Sequence, residues 1–141
     1  MKGDFAVKLA NTYLSYKNNY KETLVLIHSG NFFYTFLEDA TLMNYLFGYK
    51  IIDNRVGFPI SIAEKIKLKL KSLNIDYLII EKDSYFLTTF NKNNNYISVI
   101  KKALKAMKKA EDLASLFKQI SNKIDADKHN YHRILEYVNE L

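Results

Sequence analysis

The residues that could carry out metal or acid–base chemistry are few and scattered. The three histidines are His28, His129 and His132. Together with Asp125, the last two have a spacing that could place three metal ligands on one face of a helix. A solvent-exposed polar helix face explains the same residues, and we expect no metal. His28 stands beside Ser29, but a serine nucleophile also needs an orienting acid and an oxyanion hole. We therefore expect no enzymatic activity and no cofactor.

Other common kinds of chemistry lack their sequence signatures. The four glycines stand singly and no Gly-Lys-Ser/Thr triplet occurs, so nucleotide hydrolysis is not supported. There is no cysteine, which excludes disulfides, thiolate metal sites and a cysteine nucleophile and fits a cytoplasmic location. No apolar run approaches the roughly 20 residues needed to cross a bilayer. We therefore expect no membrane partner.

The charge balance alone does not decide whether the chain has a polyanionic partner. Lys and Arg total 21 against 15 Asp and Glu, a net charge of +6, which raises the local concentration of polyanions. An AT-rich coding sequence also produces a Lys-rich and Asn-rich chain. The arginines are Arg55 and Arg133 alone, and Lys lacks the bidentate fork that reads guanine edges. Base-specific readout by arginine is therefore not expected.

Apolar spacing predicts that helices and strands alternate over residues 1–90, as in a sheet with helices packed on it. Turn residues separate the strands into two hairpins. Ser61 and Glu64 have the spacing of a capping box at the start of a helix. The predicted order is a helix at 4–17, strands at 23–28 and 32–37, a helix at 38–47, a short strand at 49–52, a loop at 53–59, a helix from 61, and strands at 76–81 and 85–90.

Residues 91–141 have a different character and are predicted to form a linker and a helical extension. The polar run 91–95 is interpreted as a linker or a long turn. The helices after it have apolar stripes that pack back on the sheet or pair with another chain. A break is predicted at 121–122. The first stripe comprises Ile97, Ile100, Leu104, Met107, Ala114 and Phe117, and the second comprises Tyr131, Ile134, Val138 and Leu141.

The stretch from Leu24 to Ala40, followed by Gly57-Phe-Pro-Ile and a strand ending at Glu81, resembles the N-terminal domain, domain I, of MutS-type DNA mismatch repair proteins. The resemblance extends from about Phe5 to Glu81. It implies an α/β fold, with a mixed β-sheet of about five strands flanked by helices at 1–90 and a C-terminal helical extension. The residues that carry the resemblance are Gly30, Phe32, Phe36, Asp39, Ala40, Gly57 and Pro59.

The resemblance also implies how nucleic acid would be bound. In the family, a Phe-x-Glu pair reads a mispair, with the Phe inserted into the base stack from the minor groove. Phe32 has the wedge position and Tyr34 the position of the Glu, which puts mismatch specificity in question. Both side chains point the same way on a strand. An alternative is that Phe32, Tyr34 and Phe36 form one face of a buried strand.

We therefore predict a non-enzymatic module that binds distorted or unpaired DNA or RNA. Family members grip DNA with further clamp and ATPase domains, so this chain is not expected to repair mismatches by itself. The alternative is a protein-interaction adaptor that docks through its helical tail on a repair factor or on a reverse transcriptase of a diversity-generating retroelement. The oligomeric state is left open. The predicted phosphate contacts are Lys65, Lys69, Lys101, Lys105 and Lys108.

Overall fold

The computed structural model describes residues 2–126 and 129–140. Two compact units are present, residues 1–105 and 106–141, and the predicted division at residue 90 stays a prediction. The elements of the first unit are α1 (Lys2–Lys17), β1 (Leu24–Ser29), β2 (Phe32–Phe36), α2 (Leu37–Phe47), β3 (Arg55–Pro59), α3 (Ala63–Ser72), β4 (Tyr77–Ile80) and β5 (Tyr85–Thr88). Then come α4 (Tyr96–Ala126) and α5 (His129–Glu140).

The five strands form one mixed sheet in the order β3-β2-β1-β4-β5. Strands β1 and β4 pair in parallel, whereas the other neighbours are antiparallel. The two predicted hairpins, β1–β2 and β4–β5, are confirmed. Gly30 turns the first of them with a φ of 60°, a conformation that glycine adopts without steric cost. The predicted α/β fold with a five-stranded mixed sheet and a helical extension is therefore confirmed.

The two parallel strands lie inside the sheet because their sequences are apolar throughout. Leu24 to Ile27 in β1 and all of β4 are buried. A strand that is covered on both faces favours such a continuous apolar run. A strand with one solvent-exposed face instead alternates apolar and polar residues. The interior of the sheet was therefore predictable from the sequence.

Helices cover both faces of the sheet, because successive strand side chains point to opposite faces. One face carries Leu26, Phe33 and Phe58 and packs against residues of α2, α3 and the start of α4; we call it the α3 face. The other carries Ile27 and Phe36 and packs against α1; we call it the α1 face. Each face has its own apolar core, and the sheet separates the two.

Strand β3 corrects the prediction for residues 49–59. The predicted strand at 49–52 is absent, and the predicted loop contains β3, which pairs with β2. Asp53 and Asn54 both have positive φ and turn the chain so that Ile52 and Arg55 exchange backbone hydrogen bonds. The glycine and proline of Arg55–Pro59 indicated a loop, but β3 is an edge strand, where both residues are tolerated.

The start of α3 also differs from the prediction. A 3₁₀ turn at Ile60–Ile62 precedes the helix, so Ser61 does not occupy the N-cap, and no side chain caps α3. Glu64 pairs instead with Lys67, at an Oε1–Nζ distance of 3.1 Å. The helix itself is confirmed, and it buries Ile66 and Leu70 in the core of the α3 face.

The polar run 91–95 is an anchored connection. The Asn94 side-chain oxygen accepts hydrogen bonds from the backbone N–H groups of Asp76 and Tyr96, and its amide donates to the Glu22 carbonyl. The Asn95 amide donates to the Leu73 carbonyl. These bonds use the asparagines to fix the start of α4, where Tyr96 is buried.

Two further predictions for the tail need correction. The break at 121–122 is wrong, since α4 continues to Ala126. The buried side of α4 comprises Tyr96, Ile100 and Ala103, whereas Ile97 and Leu104 of the predicted stripe are exposed. A helix with apolar residues on several sides does not reveal from its own sequence which side meets the core.

In the second unit, apolar side chains of both helices are exposed, including Phe117 and Val138. Leu141 and the side chains of Tyr131 and Ile134 lie outside the described residues. The same holds for the His129 side chain, and no group of three possible metal ligands occurs among the described residues. Within the described ranges, no helix is long and apolar enough to cross a membrane, and the cytoplasmic location stays a prediction.

Candidate nucleic-acid interface

The exposure of the aromatic side chains of β2 changes along the α1 face. Phe36 is 6% exposed and packs against Tyr13 of α1, with ring centroids 5.4 Å apart. Tyr34 is half-buried, and Phe32, next to the hairpin turn, is 41% exposed. The alternative in which all three are buried therefore fits Phe36 but not Phe32.

Tyr34 lies at the centre of a row of rings. The Phe5 ring meets it edge-on at a centroid distance of 6.2 Å, and the Phe32 ring lies 6.1 Å away at a 32° tilt. The guanidinium carbon of Arg55 lies 5.9 Å from the Tyr34 centroid, within the range of a cation–π contact. We call Phe5, Phe32 and Tyr34 the aromatic row. Two of its three members, Phe5 and Phe32, are more than 40% exposed.

Gly57 makes room for the Tyr34 ring. The two residues are partners across β2 and β3. A Cβ atom at Gly57 would lie 2.9 Å from Cε1 of Tyr34, closer than side-chain atoms approach. The ring can therefore lie over the edge strand only because position 57 has no side chain.

The hairpin that presents Phe32 is tied to β4 by His28. Its Nδ1 lies 2.5 Å from Oε2 of Glu81, and its Nε2 lies 2.9 Å from the Gly30 carbonyl oxygen. Through these two contacts, one side chain joins the hairpin turn to the residue that follows β4. Glu81 is the orienting acid that the sequence did not show, yet both ring nitrogens are engaged by these contacts, and the arrangement favours anchoring of the turn over activation of Ser29.

Four of the five predicted phosphate contacts lie across the sheet from Phe32. Lys65 and Lys69 are exposed on α3, and Lys101 and Lys105 are exposed on α4. Both helices pack on the α3 face, so the sheet separates these lysines from the aromatic row. Lys108 is exposed in the second unit.

The cations next to the aromatic row are different residues. Arg55 lies against Tyr34, and Lys8 follows Phe5 by three positions on α1. Residues three apart on a helix are neighbours on its surface, so the sequence held a signal for Lys8. It held none for Arg55, because β3 was interpreted as a loop.

The placement of α1 depends on the buried carboxylate of Asp39, one of the residues that carry the resemblance. Asp39 is fully buried. Its Oδ1 accepts hydrogen bonds from Lys17 Nζ at 3.0 Å and from the Tyr96 hydroxyl at 2.6 Å. Its Oδ2 accepts from the Tyr13 hydroxyl at 2.8 Å and from the Val25 N–H at 3.1 Å. One side chain thus joins α1, β1, α2 and α4.

This network satisfies its buried polar groups. The Lys17 ammonium also donates to the Thr23 carbonyl at 2.6 Å and to the Tyr96 hydroxyl at 2.9 Å, so all three of its protons are used. Burial raises the pKa of Asp39, while Lys17 and the hydroxyl and amide donors oppose that rise. Burial, and next to it the Asp39 charge, raise the pKa of both Tyr13 and Tyr96 above the ordinary range. The two phenols therefore stay protonated as donors.

Comparison with known proteins identifies the part of the chain that contains most of this geometry. The family model described as MutS domain I matches residues 8–69. This part of the chain is similar to MutS domain I. No curated protein matches the sequence.

The MutS domain I match extends from Lys8 in α1 to Lys69 in α3. It contains the β1–β2 hairpin with Phe32 and Tyr34, and all of β3. Phe5, β4, β5 and the two C-terminal helices lie outside it. Two residues that carried the resemblance have structural roles in this fold. Asp39 is the centre of the buried network, and Gly57 leaves space for the Tyr34 ring.

Proposed function

We propose that this chain is a non-enzymatic nucleic-acid-binding module that inserts Phe32 into distorted or unpaired DNA or RNA. The observation that carries the proposal is the exposed Phe32 ring beside a hairpin turn of a MutS domain I. Inserting an apolar ring between bases costs a few kcal/mol of unstacking. A step that is already mispaired or bulged is therefore the favoured ligand.

Tyr34 determines which contacts with a base are possible beside Phe32. Its ring lies on the same face as Phe32, and its phenol can both donate and accept one hydrogen bond. Tyr34 lacks the carboxylate of the glutamate that the family has at this position. We therefore expect a preference for weakened stacking and only modest discrimination among mispairs.

Two sets of cations are proposed to attract the phosphates in different ways. Arg55 and Lys8 lie beside the aromatic row and are the proposed direct contacts. Lys65, Lys69, Lys101, Lys105 and Lys108 contribute through the field of the whole molecule, which raises the association rate and weakens with salt. This division explains why lysines on the far side of the sheet are compatible with binding at Phe32.

The test is fluorescence anisotropy at low salt with matched, mismatched and bulged duplexes. Phe32→Ala is expected to abolish the preference for distorted duplexes. Phe86→Ala is the matched control, because Phe86 is 61% exposed on β5 and its strand partner Ile79 belongs to the core of the α3 face. Absence of binding to every duplex, or an equal effect of the two variants, contradicts the proposal.

A second candidate function is a protein-interaction adaptor. Exposed Leu116 and Phe117 on α4 and exposed Val138 on α5 favour it, since apolar residues on helices are typical of protein docking surfaces. The partner class would be a repair factor or a reverse transcriptase. Full-length chains with Leu116→Ser and Phe117→Ser are expected to lose a co-purifying partner. An unchanged set of partners argues against this role.

A further inference from the structure

A cavity of about 410 Å³ opens between α1 and the carboxyl ends of the parallel strands β1 and β4. Buried Leu9, Ile27 and Ile80 give it an apolar floor. Exposed Lys8 and Lys82, which come from different elements, also line it. Ligands of sheets with parallel strands characteristically bind at these strand ends.

The cavity lies directly beside the proposed wedge. Ser29 and Gly30 of the hairpin turn line it, and Ser29 is the strand partner of Phe32. Phe5, a member of the aromatic row, lines it as well. Because Ser29 and Phe32 are opposite each other across the hairpin, a base that Phe32 displaced from a duplex would emerge close to the cavity.

We infer that this cavity binds the single nucleotide that Phe32 displaces, and we call it the nucleotide pocket. The inference rests on the proposed function. The volume lies within the range of small-molecule sites, and an apolar floor suits the flat faces of a base. Lys8 and Lys82 supply positive charge for the phosphate of the displaced nucleotide.

The polar edge of the pocket fits the polar edge of a base. The Ser29 hydroxyl can donate or accept, and Glu81 also lines the pocket. The Glu81 carboxylate is already engaged with His28, which offsets its repulsion of a phosphate. Extrusion exposes a base to water, and burial against Leu9 and Ile27 reverses that exposure, so the pocket favours the unstacked state that the wedge creates.

Filling the pocket tests this directly. Thr12 lines the pocket, and its hydroxyl donates an exposed hydrogen bond to the Lys8 carbonyl within α1, so a larger apolar side chain can replace it without stranding that group in the core. Thr12→Phe is expected to weaken binding to a duplex with one bulged nucleotide by about tenfold and to leave matched-duplex binding unchanged. Ser15→Phe, at an exposed position of the same helix that does not line the pocket, is the control.

Two further measurements keep the inference falsifiable if Thr12→Phe does not fold. With 2-aminopurine as the bulged nucleotide, binding is expected to protect its fluorescence from acrylamide quenching. Combining Lys8→Gln with Lys82→Gln is expected to weaken bulge binding more than combining Lys21→Gln with Lys50→Gln, which removes the same charge from exposed sites elsewhere.

The outcomes separate this inference from the proposed function. If Phe32→Ala loses the bulge preference while Thr12→Phe binds the bulged duplex as the wild type does, nucleotide binding in the pocket is contradicted and insertion of Phe32 is supported. A quenchable 2-aminopurine in the bound complex overturns the pocket as well. Absence of binding to all nucleic acids overturns the proposed function, and the pocket with it.

Discussion

Replacing Asp39 by Asn is expected to destabilise the first unit strongly. The carboxylate is fully buried, accepts four hydrogen bonds and lies 3.0 Å from the Lys17 ammonium. Asn keeps the shape but removes the charge, and its NH₂ group then faces donors. Removing one partner of a buried ion pair costs about 3–5 kcal/mol, because the other charge stays buried without compensation.

This cost is large against a total stability of about 5–15 kcal/mol for a domain. At roughly 4 °C per kcal/mol for a unit of this size, the melting temperature falls by about 12–20 °C. Urea unfolding followed by circular dichroism measures the change as a lower midpoint with an unchanged slope. Glu64→Gln is the control, since its 3.1 Å pair with Lys67 is exposed and contributes less than about 1 kcal/mol.

A double-variant cycle separates the ion pair from general damage. Lys17→Met alone is expected to cost less than Asp39→Asn, because burial raises the Asp39 pKa and the acid can become neutral by binding a proton. Combining Lys17→Met with Asp39→Asn removes both charges and is expected to be less destabilising than the sum of the single variants. The reasoning is refuted if Asp39→Asn costs no more than Glu64→Gln, or if the two single costs simply add.

Three further predictions follow from the same geometry. The pKa of Tyr13 and of Tyr96 is raised in the folded state. The two phenols therefore contribute fully to the free energy of unfolding below the ordinary tyrosine pKa of 10.0, and this contribution declines above it. Unfolding there releases two protons, so urea titrations should lose about 2.7 kcal/mol per pH unit, and about half of that when Tyr13 is replaced by Phe. Gly57→Ala should displace the Tyr34 ring, cost about 1–3 kcal/mol and lower bulge affinity, and wild-type stability would contradict this. Arg55→Gln should reduce the slope of log affinity against log salt by about 1, and an unchanged slope would exclude a phosphate contact.

The local parts of the fold were predictable because their signals are local. Uninterrupted apolar runs indicated β1 and β4, and Ser29-Gly30-Asn31 indicated the turn between β1 and β2. Strand β3 was missed because Gly57 and Pro59 are residues that usually indicate a loop. A strand can contain them here because β3 lies at the edge of the sheet. Edge position is a property of the assembled sheet, and no window of sequence contains it.

The candidate site was predictable only in part, for a related reason. Phe32 was found through a resemblance, but four of the lysines assigned to it, Lys65, Lys69, Lys101 and Lys105, lie on the far side of the sheet. The face on which a helix packs depends on how the chain crosses the sheet, which residue spacing within α3 or α4 does not specify. The Asp39 network was equally hidden, since it joins Asp39 to Tyr96 across 57 positions.

The exposure of Phe32 is a consequence of where α1 lies. Phe32, Tyr34 and Phe36 point to the same side of β2, so burial by α1 decides which of them is free. The Asp39 network holds the carboxyl-terminal half of α1, through Tyr13 and Lys17, beside the buried end of β2. Near the opposite end of the helix, Phe5 contacts Tyr34 of the aromatic row. A chain that loses the Asp39 anchor should therefore lose its preference for distorted duplexes even under conditions in which its secondary structure persists, because the rings keep their strand but lose the helix that orders them.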